Sequence, residues 1–208
     1  MAELRSITYY LGLADKLESE QNLSDEEFSS VLLCDDSDFD RYLTKKARAV
    51  RERNYGKDVY IRGLIEFTNY CKNNCYYCGI RANNKNAERY RLSEEEIILC
   101  SDKGYELGFR TFVLQGGEDP FYTDERIVSI ISKIKERHPD AAITLSIGEK
   151  EKESYQRFFD AGADRYLLRH ETADKEHYEM LHPANMSYEH RIRCLQDLAA
   201  SVFRLDAV

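Results

Sequence analysis

No run of eighteen or more apolar residues occurs in the chain, so the sequence offers no transmembrane helix. Its first residues, MAELRS, lack a basic stretch followed by an apolar one, which predicts a protein without a secretory leader. Positive charge is in deficit too. Thirty Lys and Arg face 38 Asp and Glu, a formal net charge of -8, and this excludes the basic footprint that broad nucleic-acid binding needs. The expectation is a cytoplasmic protein that engages neither membrane nor nucleic acid. At 42% apolar and 33% charged residues, 208 positions suffice for a domain with a real core.

What is there begins with helix. Residues 1–54 read as a helical lead-in. Within it Leu23-Ser24-Asp25-Glu26-Glu27 makes a capping box, with Ser24 as N-cap and Glu27 three residues on, and Asp38 to Arg53 is a charged amphipathic stretch. After Tyr55-Gly56 the texture changes. Val59 to Phe67 is rich in Val, Tyr, Ile and Phe and predicts a strand. A cysteine loop follows, then a polar loop from Arg81 to Arg91. Ser93 and Glu96 form a second capping box and open a helix to about Leu107, ended by Gly108. Thr111 to Leu114 is a short strand running into Gly116-Gly117. Thr123 to Arg137 sets Ile127, Ile130, Ile131 and Ile134 on one helical face. Ala142 to Ile147 is a strand ended by Gly148, Lys150 to Ala161 a helix closed by Gly162, Arg165 to Leu168 a strand, and Ser187 to Ala200 a last helix.

Strand then helix, four times over, predicts an α/β domain at 55–208 with a parallel sheet and right-handed crossovers. The strands are mostly apolar, as expected if both faces are covered. Such folds gather their chemistry at the C-terminal ends of the strands. The cysteines follow the first strand, Gly116-Gly117-Glu118 the second, and Ser146 and Gly148-Glu149 the third. Arg169-His170-Glu171 closes the fourth, and this repeated coincidence with one rim predicts a site.

Six cysteines stand at 34, 71, 75, 78, 100 and 194. Three fall within eight residues, which points to metal chemistry in a reducing compartment rather than to disulfides. Cys34, Cys100 and Cys194 stand alone in helical-looking stretches and read as small buried hydrophobes. The run from Cys71 through Cys75 to Cys78 is a C-x3-C-x2-C pattern. Three thiolates on one loop can ligate three irons of a cubane cluster and leave the fourth open to an exogenous chelator. A closed zinc site wants four ligands, usually from two cysteine pairs, and no second pair exists here. Zinc with a distant fourth ligand such as His170, or unligated thiols, are the alternatives.

With the aromatic Tyr77 before its last cysteine, this motif resembles the signature of the radical S-adenosylmethionine (SAM) superfamily. The stretches EFTNYCKNNCYYCGIRANNKNAERYR, VLQGGEDPFY, TLSIGE and ADRYLLRHETA resemble, in order and spacing, the HydE-type maturases of FeFe-hydrogenase, from about residue 59 to 198. The resemblance implies a TIM-type (β/α)8 barrel, a 4Fe-4S cluster on Cys71, Cys75 and Cys78, and SAM held at the open iron. It implies a small organometallic or amino-acid-derived substrate, and other hydrogenase maturation proteins as partners. It aligns Gly116, Gly117 and Glu118 with a motif that contacts the SAM amino group, Tyr77 with a backbone contact to adenine, and Arg191 with an arginine that pairs with the SAM carboxylate.

Glu171 and Arg169 have the chemistry to bind a ribose or ammonium group and a carboxylate, against the alternative of a rim salt bridge between them. Arg191 could also be a solvated helix charge. Ser146 is expected to line the cavity. The biotin synthase and methylornithine synthase kinds of radical SAM enzyme, and a non-catalytic iron–sulfur or zinc protein, are the competing readings. The chain departs from the family at its end: only the first four β/α units are expected, a glycine-rich fifth strand is lacking, and the text from near Ala200 reads as truncated or frame-disrupted. A half barrel would leave the fourth strand as a bare edge and is expected to have weak or no maturase activity.

Overall fold

The computed structural model describes residues 6–201 and the backbone of 204–206. The start of MAELRS, and residues 202–203 and 207–208 of the tail, lie outside the described residues. The chain forms two compact units, one ending at Tyr60 and the other starting at Ile61. The first holds α1 (Ile7–Glu20), α2 (Asp25–Leu32) and α3 (Ser37–Tyr55). The capping box of α2 is present: Ser24 Oγ accepts from the Glu27 N–H at 3.2 Å, and Glu27 Oε2 accepts from the Ser24 N–H at 2.8 Å. Asp36 caps α3 at 2.8 and 3.0 Å. Lys46 ties α3 to α1 through Asp15 at 2.6 Å and Glu18 at 2.7 Å, while Leu13, Ala14 and Phe39 form the buried seam.

The second unit runs β1 (Gly63–Thr68), α4 (Glu94–Glu106), β2 (Thr111–Gly116), α5 (Asp124–Arg137), β3 (Ala142–Ser146), α6 (Lys152–Asp160), β4 (Arg165–Leu167), α7 (Lys175–Leu181), α8 (Tyr188–Ala200) and β5 (Arg204–Asp206). The sheet is parallel throughout, in sequential order β1-β2-β3-β4-β5. Phe112, Leu114, Ile143, Leu145 and Tyr166 on its helix face are essentially fully buried against Ile97, the four isoleucines of α5, Phe158 and Leu198. Each such side chain contributes about 1.5–3 kcal/mol by leaving water, so this face holds the unit together.

Several expectations change. The run Val59–Ile61 is not strand; it is exposed, and β1 starts at Gly63. The sheet does not end at the fourth strand, because β5 pairs with β4 from Arg165↔Arg204 to Leu167↔Asp206. Pairing uses backbone groups that any non-proline residue supplies, so the missing glycines did not remove the strand. Nor are both faces of the strands apolar: polar residues alternate with the core residues. Cys194 is buried, but Cys34 is only partly buried in the loop after α2, and Cys100 is exposed. Among the described residues, no helix is long and apolar enough to cross a membrane.

Candidate functional site

The alternation within the strands builds the floor of the site. Register pairs Glu66 with Gln115 and Gln115 with Ser146, and Leu167 follows Tyr166, the partner of Leu145, on β4. These four side chains share the face opposite the helix core, because successive residues of a strand point to opposite faces. They line a cavity of about 460 Å³ at the C-terminal ends of the strands. Gln115 Nε2 donates to Glu66 Oε1 at 3.0 Å. Of the residues singled out by sequence, Tyr77, Cys78, Gly116, Ser146, Arg169, Glu171 and Arg191 line this cavity.

The cysteine loop is wired by backbone groups. The Lys72 N–H donates to the Glu118 carbonyl, and the Tyr76 N–H to the Leu181 carbonyl, both at 2.9 Å. Arg89 reaches carbonyls on both sides of the loop, Ile80 at 2.9 Å, Arg81 at 2.7 Å, Asn84 at 3.2 Å, and Asn69. The asparagine-rich segment folds back on it, with the Asn83 N–H donating to Asn74 Oδ1 at 2.8 Å. All three thiols are free and partly buried. Burial pushes the Cys71 thiol up. Burial, and then the neighbouring Cys71 and Cys78, push Cys75 up to about 11. Among the described residues, no group of three or more His, Cys, Asp or Glu side chains is gathered to hold a single metal ion.

The Gly-Gly-Glu turn packs on this loop. A Cβ at Gly117 would collide with the Tyr70 carbonyl oxygen and stand 2.8 Å from Cys71 Cβ. The glycine is therefore needed for the close approach of two loops. Glu118 accepts from the Glu149 N–H at 3.1 Å and meets Lys72 Nζ at 3.2 Å. Gly148, at φ +81°, leaves the room that the Glu118 side chain occupies.

Arg191 is no solvated helix charge. It is 6% exposed, and its Nε donates to Glu149 Oε1 at 2.6 Å while Nη1 donates to the Arg169 carbonyl. Burial works against its charge, but the Glu149 carboxylate outweighs that and raises its pKa above the usual value. Arg169 and Glu171 lie beyond β4 in a loop, not at a strand end, and Glu171 takes a left-handed backbone at φ +67°. Strand alternation therefore ends before His170. Among the described residues, Arg169 and Glu171 form no ion pair with each other, and both are exposed on the cavity rim. Burial first, then the charges of Cys75 and Glu171, push the Tyr77 phenol well up.

Sequence reading missed Glu66, Gln115, Arg89 and His182. Glu149 was named at the rim, but its pairing with Arg191 was not. Glu66 and Gln115 were signalled only by polar letters alternating within apolar strands. Arg89 and His182 had no local signal.

The family model described as "Radical SAM superfamily" matches residues 65–205. The chain is 42% identical over 186 residues to the "[FeFe] hydrogenase maturase subunit HydE" of Thermotoga maritima, covering 89% of this chain and 52% of that relative. It is 33% identical to the 3-methylornithine synthase of Methanosarcina acetivorans over 161 residues, 76% of this chain and 45% of that one. Among solved structures it resembles methylornithine synthase (PylB) with TM-score 0.82 and 28% identity, over 94% of this chain and 58% of that one. It resembles HydG, a maturase of the [FeFe]-hydrogenase, with TM-score 0.88 and 25% identity, over 99% and 47%. The chain spans about half the length of the curated relatives it matches.

Proposed function

The chain belongs to the radical SAM superfamily, and on that premise we propose that Cys71, Cys75 and Cys78 hold a 4Fe-4S cluster at which SAM binds. The donor set fits: three free thiols share one loop, and the last of them opens onto the same cavity as Ser146, Glu171 and Arg191. That shared cavity is the observation on which the reading rests. Burial disfavours the bare thiolates of Cys71 and Cys75, and for Cys75 the neighbouring thiols add to it; a cationic iron core relieves both effects. When bound, the cluster supplies the electron that cleaves the sulfonium of SAM.

The chain's own residues orient the ligand. Arg191, held charged and immobile by Glu149, offers a guanidinium to the carboxylate of SAM's methionine part. Glu118 takes the amino group at the edge opened by Gly116 and Gly117. Glu171 accepts from the ribose or ammonium, Arg169 grips a carboxylate, the Tyr77 backbone lies along adenine, and Ser146 lines the floor.

Within the superfamily the assignment is to the HydE type, supported by the 42% identity to that maturase. The activity is then maturation of the FeFe-hydrogenase active-site cluster in the cytoplasm. The substrate is an iron–carbonyl–cyanide–cysteine synthon, exchanged with sister maturation proteins. The likeness to methylornithine synthase supports a second reading, a radical SAM enzyme of the methylornithine synthase kind. A protein that joins this chain to the remaining units of the barrel, expressed in cells lacking their own HydE-type maturase, is expected to restore hydrogen evolution without forming methylornithine; methylornithine without hydrogen evolution would replace the assignment.

A further inference from the structure

Three successive residues of the cysteine loop are gripped by one short segment, Leu181 to Met186. Met186 Sδ lies 3.6 Å from Cys75 Sγ. The Leu181 carbonyl accepts from the Tyr76 N–H at 2.9 Å. His182 Nε2 stands 3.3 Å from the Tyr77 hydroxyl, the two rings edge to face at 5.6 Å. The segment leads directly into Ser187, the N-cap of α8, which carries Arg191. It therefore joins the two walls of the cavity.

His182 is fixed more firmly than the half-exposed Tyr77 it faces. It is 2% exposed and stacks on Tyr178 at 3.9 Å. Its extended backbone, φ -127° and ψ 150°, is the conformation that the following Pro183 favours. Its Nδ1 lies 2.9 Å from the Tyr178 carbonyl. A carbonyl only accepts, so in the neutral ring Nδ1 carries the proton and Nε2 is left as the acceptor. The Tyr77 O–H is then the donor, and the phenol ring is held against a buried, immobile imidazole.

We propose that His182 is a positioning residue for SAM binding, acting through Tyr77 to hold the second half of the cysteine loop in register with the helix that bears Arg191. The proposal rests on the cluster reading above. After anaerobic iron–sulfide reconstitution, iron content and the electron paramagnetic resonance of the reduced cluster are followed during SAM titration, in the wild type and in His182→Phe, His182→Gln, Tyr77→Phe and the double variant His182→Phe/Tyr77→Phe. His182→Phe keeps the stacking but loses both hydrogen bonds of the imidazole, to Tyr77 and to the Tyr178 carbonyl; it is expected to load iron normally, yet to weaken SAM binding about fivefold to tenfold, the effect of the Tyr77 bond, which is the one that reaches the cysteine loop. Tyr77→Phe should match it, the double variant should be no worse, and His182→Gln, whose amide can accept at the Nε2 position, should recover most of the affinity. Unchanged SAM affinity in His182→Phe, additive losses, or iron lost in step with affinity would each overturn the proposal. A wild type that takes up iron and binds SAM while His182→Phe does the same sinks this inference alone; a wild type that takes up no cluster sinks the cluster reading and this inference with it.

Discussion

At Gly117 one missing side chain decides whether two loops can touch. A Cβ there would meet a backbone oxygen, that of Tyr70, which cannot swing aside as a side-chain tip could. Gly79, next to Cys78, has open space around the same position. Gly117→Ala is therefore expected to push the cysteine loop off the Gly-Gly-Glu turn and to lose at least part of the bound iron after reconstitution, whereas Gly79→Ala should load like the wild type. Equal iron in both variants, measured per chain, would contradict the packing account. Arg191 illustrates a different limit. Its partner Glu149 lies 42 positions away in sequence, so letters alone left open whether it was solvated or buried. The pairing that settles its burial exists only once α8 has docked beside the end of β3.

The elements were legible where their signals are local. Both capping boxes are present as read, because a Ser hydroxyl and a Glu carboxylate three residues on close over a single turn. The isoleucine stripe of α5 is buried as its spacing requires. Two elements escaped. The seven-residue α7 buries only Tyr178 and so has no stripe to read, and β5 is three residues whose pairing to β4 is non-local. The loop after β2 shows how one ion pair sets an element's shape. Asp119, 7% exposed, accepts from Arg91 at 2.7 and 2.9 Å, from Thr68 at 2.8 Å and from the Phe121 N–H at 3.1 Å. Arg91 also stacks over the Tyr70 ring at 3.9 Å. Burial raises the Asp119 pKa, but Arg91, Thr68 and the Phe121 N–H outweigh it, and the value in the fold is lowered. A carboxylate with a depressed folded pKa stabilises above its unfolded value, and that stabilisation is lost as pH falls through the folded value. Asp119→Asn should thus cost about 1–3 kcal/mol in urea unfolding of the apo chain at neutral pH, and the gap to wild type should narrow once the pH drops below about 4. A gap that stays constant across that range would mean the aspartate acts by shape and not by charge.

At the scale of the whole molecule, the parallel sheet divides labour between its faces. One face is closed by α4, α5, α6 and α8 around a continuous apolar core. The other carries the row from Glu66 to Leu167 and opens into the cavity where Cys78, Arg191 and Glu171 meet. The rim rule of β/α folds led the sequence reading to that cavity. It did not reveal the cavity's floor, because the reading took both faces as covered. Nor could the cysteine spacing reveal that the loop is clasped by a segment more than a hundred positions downstream. On the proposed reading, three thiols on this loop seat a cluster able to reduce SAM bound against Arg191. The most direct test is anaerobic SAM cleavage by the reconstituted, dithionite-reduced chain beside its Cys75→Ala variant. Release of 5′-deoxyadenosine by the wild type, lost in the variant, is the expected result; release that survives Cys75→Ala, or zinc bound in place of iron with no release, would contradict it.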